Sequence, residues 1–244
     1  NDNVEELPDI KQIRENKADK KVKTTDTINT NSEQKLETSG NETNSVDTKT
    51  LNSTKDIKKA SYTVSSYNEL YNTIEDIKNN PDADYEEIIN LNDGDYNITR
   101  LITWGNSDKT RILTINGNNH IISGGYNNRF IRINNGYTLN LENITVKDCM
   151  TDVGIITASQ GAVMYNDGTV NIRNSNFTGN TAYVGWLFGG GGNGGVAYNT
   201  GHMTITNSTF KDNSASNNGG VIYNTGNLDI QNSSFEENIA RTSG

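Results

Sequence analysis

The chain has 244 residues, of which 32% are hydrophobic, with a net charge of −9 and a mean hydropathy of −0.73. The acidic balance argues against nucleic acid and anionic membrane surfaces as partners. No run is apolar over the length of a bilayer, so membrane insertion by this segment is not expected, and the single cysteine, Cys149, excludes an intrachain disulfide.

Residues 1–60 contain no aromatic side chain and scatter 12 acidic and 11 basic groups among Asn, Thr and Ser. Such a segment cannot bury enough apolar surface to offset its chain entropy, and a disordered low-complexity tail or tether is expected. Its two sequons, at Asn41 and Asn52, are the expected glycan acceptors of the chain. Residues 61–244 are expected to form one domain, with a cap and first strands over 61–110 and regular coils over 111–244. In the cap, Ser66 and Glu69 have capping-box spacing. Leu70, Ile74 and Ile77 form one apolar helical stripe, and Pro81 marks the stop. The "PDADYEE" run that follows gathers four carboxylates but lacks the ligand alternation and glycine of a calcium loop; it reads as a solvated charge run. "EEIINL" is then an opening strand.

From residue 111 the chain repeats itself. "GAVMYNDGTVNIRNSNFTGNTA" (161–182), "GGVAYNTGHMTITNSTFKDNSA" (194–215) and "GGVIYNTGNLDIQNSSFEENIA" (219–240) align residue for residue. A fainter copy lies at 130–149, and 111–124 shares its strand-turn-strand texture. Each copy splits into strand pieces of three to five residues, too short to be stable unless the same piece of the next copy pairs alongside. The spacing predicts an all-β, right-handed parallel β-helix with coils of about 25 residues. Gly201, in the Asn-Thr-Gly turn, is expected to supply a positive φ. Three structural columns are expected: Asn174, Asn207 and Asn232; Phe177, Phe210 and Phe235; and Asn180, Asn213 and Asn238. Stacked asparagines suit such columns because one amide both donates and accepts. Cys149 falls in the last of these and is expected to be a buried small residue. The chain stops in "RTSG", where another Gly-Gly coil would begin, so the natural protein is expected to continue.

At the GGV and FxxN positions (Phe177 to Asn180, Phe210 to Asn213, Phe235 to Asn238) the chain resembles the GGAI and FxxN repeats of chlamydial polymorphic outer-membrane proteins. Its fuller texture, including "YNELYNTI" and "LTINGNNHIISG", is more similar to the adhesin-like surface proteins of methanogenic archaea. That resemblance implies a secreted protein displayed at the cell surface, attached to a glycan or protein of another cell. It carries over no catalytic residue.

The chemistry of the residues themselves is sparse. If the apolar positions of the central strands face inward, Glu142 and Asp229 lie three rungs apart, about 14 Å by the strand spacing, too far for a glycosidase pair. Glu142 and Arg173 would be neighbours and form a surface ion pair. His120 and His202 have no partner at ligand spacing, and "GGGGNGG" lacks the Lys-Ser/Thr ending of a phosphate loop. No catalytic residue, metal or cofactor is expected. The one departure from the repeat, at 183–193, carries Tyr183, Trp186, Leu187 and Phe188 in a Gly-rich setting and is the candidate binding loop. The leading expectation is therefore an adhesin-like module. A polysaccharide-acting lyase or glycosidase, and a passive wall or stalk component, are the alternatives.

Overall fold

The computed structural model describes residues 24–26, 59–107, 109–151, 160–183 and 192–244. Over these residues the chain is a parallel β-solenoid of about six turns. Most of the segment expected to be a tail, with Asn41 and Asn52, lies outside the described residues. Within it, Thr24–Asp26 pairs antiparallel with Lys59–Ser61.

Among the described residues three long faces line the stack, and Thr181–Ala182, Ser214–Ala215 and Ile239–Ala240 add a short three-stranded one. The first is built from Ile112–Asn116, Thr138–Glu142, Thr169–Arg173, His202–Thr206 and Asn227–Gln231, each in parallel register with the next. The second runs through Ile121–Ser123, Thr145–Lys147, Asn176–Thr178, Thr209–Lys211 and Ser234–Glu236. The third is a five-stranded sheet, from Ile102–Trp104 through Ile131–Ile133, Met164–Asn166 and Ala197–Asn199 to Ile222–Asn224. The long strand Glu86–Asn97 turns the first corner: its start pairs with the first face and Tyr96 and Asn97 with the second.

Alternation sets the interior. Leu139, Leu141, Val170, Ile172, Met203 and Ile205 are buried, as the period-2 pattern requires. Leu228 and Ile230 occupy the same register on the last described strand of this face, where Ile230 is 40% exposed. Phe177, Phe210 and Phe235 stack face to face at 5.0 and 4.8 Å, with rings within 7° of parallel. Trp104 is fully buried, donating through Nε1 to the Thr138 carbonyl.

The helix Tyr67–Asn79 lays Leu70, Ile74 and Ile77 into the core at the first turn of the stack. Its cap is the expected one with one shift. Ser66 Oγ accepts from Glu69 N–H at 3.2 Å, while the Glu69 carboxylate reaches back to the N–H of Ser65, not of Ser66.

The corners explain the composition. Asn143, Asn174, Asn207 and Asn232 all hold φ near +50°, as do Asp148, Asp212 and Glu237; Gly179, Gly161, Gly194 and Gly219 hold φ near +65 to +73°. Each coil therefore turns through left-handed residues, a conformation that Asn, Asp and Gly adopt at least cost. The expectation for Gly201 is corrected. It has no positive φ; a Cβ there would lie 2.0 Å from the Gly168 carbonyl oxygen of the previous coil, and one on Gly226 would lie 2.1 Å from the Gly201 carbonyl oxygen. Close approach of stacked backbones, not turn geometry, requires this glycine.

Candidate functional site

The expected asparagine columns are real but unequal. Asn180 and Asn213 are fully buried. Asn180 Nδ2 donates to Asn213 Oδ1 at 2.9 Å and Asn213 Nδ2 to Asn238 Oδ1 at 3.0 Å, and each Oδ1 also accepts the backbone N–H of the preceding coil. Cys149 continues this column as expected: it is buried, its N–H donates to Asn180 Oδ1, and burial pushes its thiol well above the ordinary range. That thiol is no nucleophile at neutral pH. The column of Asn174, Asn207 and Asn232 is exposed and its bonds are long, 3.4 Å from Asn207 to Asn174 and from Asn174 to Asn143. A further interior column went unread in the sequence: Asn166 donates to Asn199, and Asn199 to Asn224, each at 2.6 Å.

Of the candidate loop, Tyr183 is described, and its backbone exchanges two hydrogen bonds with Thr151 Oγ1, at 2.9 and 3.0 Å. Trp186, Leu187 and Phe188 lie outside the described residues. Glu142 and Arg173 are register partners as expected, but the expected ion pair between them does not form. Among the described residues the coils hold Arg132–Asp167, Lys147–Asp148 and Lys211–Glu237 pairs instead, with His120 near Asp93 at 3.9 Å. The register also keeps Glu142 and Asp229 three strands apart.

The outer side of the five-stranded sheet carries the richest surface chemistry. Arg132, Tyr165, Tyr198 and Tyr223 are successive register partners. The tyrosine rings stack at 5.2 and 5.0 Å, and the Arg132 guanidinium lies 4.7 Å over the Tyr165 ring. The rings cover one another's faces and Arg132 covers the near end, so the column offers solvent a row of ring edges and phenol hydroxyls. Burial, reinforced by its two tyrosine neighbours, raises the Tyr198 pKa above its ordinary value near 10, with a hydrogen bond to Gln160 acting the other way.

Beside the column lies an open groove of about 740 Å³. Arg132 Nη2 reaches Asp167 at 2.9 Å there, and Thr200 Oγ1 donates to the same carboxylate at 2.7 Å. His202, also on this groove, is held by Asn227 at 2.9 Å. Arg129 flanks the column. Among the described residues no carboxylate pairs with it, and its Nε is buried without a hydrogen-bond partner. Burial, then the neighbouring Arg132 cation, lowers its pKa, with Tyr165 acting the other way.

The sequence signal for this surface was the tyrosine opening each YN turn, which reads as turn texture until the register shows its ring facing out. Arg132 occupies the same position in the fainter copy. The chain matches no protein family, no curated protein and no solved structure.

Proposed function

We propose that the chain is an extracellular, adhesin-like attachment module, and that the Arg132 and tyrosine column with its groove binds an acidic glycan of a cell surface. The observation that carries this reading is the half-buried Arg129, which has no carboxylate partner among the described residues, beside Arg132 and a row of phenol hydroxyls. A carboxylate-bearing sugar supplies the missing counter-charge, and its hydroxyls match donors and acceptors spaced along the strands. The overall negative charge of the chain does not oppose this at contact range, because it is screened beyond about 8 Å at physiological salt. Repetition along a stiff stack favours weak contacts made many times over.

A glycan array scored for uronate-containing ligands, run beside a cleavage assay on polygalacturonate, tests the reading. Binding without cleavage is expected. Arg129→Gln and Tyr198→Phe should each weaken binding by more than about 1 kcal/mol with the thermal midpoint kept, since Phe preserves the stack. Loss of binding in Trp186→Ala alone would move the site to the loop. Cleavage would make the protein an enzyme, and neither binding nor cleavage would leave a stalk.

A further inference from the structure

Four Asn-Gly pairs occur in the sequence, at Asn116, Asn135, Asn193 and Asn218. A glycine after asparagine removes the substituent that would hinder its backbone nitrogen, so each pair is chemically able to cyclise. The fold treats them differently. Gly117 N–H donates to Glu142 O at 2.8 Å, Gly194 N–H to Asn218 O at 2.9 Å and Gly219 N–H to Ser243 O at 2.8 Å. Their asparagines are tied as well: Asn116 donates to Asn90, and Asn218 donates to Asn193 Oδ1. None of these amides is free to rotate, and none of these nitrogens is free to attack.

Asn135 differs on every count. Asn134 O accepts from Tyr137 N–H at 3.2 Å, and Gly136 holds φ +83°, which makes this a type II turn with Asn135 and Gly136 at its centre. Both residues are exposed, and no atom lies within 4 Å of the place a Gly136 Cβ would take. Among the described residues, neither the Asn135 amide nor the Gly136 N–H has a hydrogen-bond partner. The turn lines the same groove as Arg132 and Asp167.

We propose that Asn135 is a site of spontaneous deamidation in the folded protein. The Gly136 nitrogen bonds to Asn135 Cγ and gives up its proton, and the bond from Cγ to Nδ2 breaks to release ammonia, leaving a succinimide. Water then opens either ring carbonyl. Attack at Cγ yields aspartate, and attack at the backbone carbonyl yields isoaspartate, with the main chain rerouted through the former amide carbon. Water enters, ammonia leaves and nothing is oxidised. The product adds a carboxylate to a groove whose charged lining residues, among those described, are Arg132 and Asp167, already paired with each other, with His202 beside them. If the groove binds an acidic glycan, a consequence that rests on the proposed function, affinity falls as the protein ages.

The test is peptide mapping by mass spectrometry after incubating the intact protein at mildly alkaline pH. The amide-to-acid mass change and an aspartate–isoaspartate doublet should appear first in the peptide containing Asn135. Asn116, Asn193 and Asn218 should lag by about ten-fold or more, because hydrogen bonds must break before they react. In denaturant all four should react at similar rates, and Asn135→Gln should abolish the early doublet. Equal rates for the four pairs in the folded protein, or an early doublet elsewhere, would overturn the assignment. The readout is independent of any ligand, so it stands or falls apart from glycan binding.

Discussion

An asparagine in this protein is selected by one of two different constraints, and substitution separates them. At the exposed corner, Asn207 holds φ +52° and its side-chain hydrogen bond is 3.4 Å long. Backbone conformation therefore dominates there. Asn207→Ala should cost about 1–2 kcal/mol, the penalty for a Cβ in the left-handed region, whereas Asn207→Gly should lie within a few tenths; urea unfolding of the two variants decides it, and equal losses would mean the amide bond matters instead. Tyrosines give a second residue-scale expectation. Burial raises the pKa of Tyr67, and burial followed by Glu87, Asp84 and Asp76 pushes Tyr62 up to about 12. The neutral phenols are favoured in the fold. Stability contributed by these groups is thus full below pH 10, where the unfolded protein also keeps them protonated, and falls as pH rises through 10 toward 12. Unfolding midpoints measured from pH 8 to 11.5 should hold to about pH 10 and then decline as phenolate absorbance rises.

Strands here are too short to persist alone, so an element is stabilised by its neighbours above and below. Phe210 lies between Phe177 and Phe235 with both faces covered. Phe210→Ala should therefore cost about 3–5 kcal/mol. Thr204→Ala, on the outward column of the adjacent strand, should stay within about half a kcal/mol. Comparable losses in thermal unfolding would contradict the inward and outward faces. These faces were legible in the sequence because period-2 alternation in Met203 to Thr206 and the recurrence of Phe every coil carry the register without further information. The binding surface was not. Tyr165 and Tyr198 recur as regularly as the phenylalanines, yet a recurring aromatic residue reads the same whether its ring points in or out. Only pairing with Arg132 on the preceding strand places them outside. Gly201 was misread for a related reason: a turn glycine and a close-contact glycine look alike until the neighbouring coil is in place. Arg129 gave no pattern at all, since its distinguishing property is that no described carboxylate pairs with it.

At the scale of the whole molecule, stability should grow by nearest-neighbour increments, as in other solenoids. An in-frame duplication of residues 194–218, the block between equivalent glycines, should add one rung, lengthen the stack by about 4.8 Å and raise the thermal midpoint. A duplicated protein that unfolds earlier or aggregates would show that the rungs are not interchangeable. The stacked columns, inside and out, say why they should be: Asn180 bonds to Asn213 and Asn213 to Asn238 in the same way, and the Phe and Tyr stacks repeat one geometry. Each stacked residue is thus the complement of its own copy. A coding sequence that gains a repeat by unequal crossing-over gains a rung whose contacts are already matched, with no compensating substitution required. Length then becomes a trait that can change in single steps without trial of new packing, and a population of such genes can hold rods of many lengths built from one solved problem.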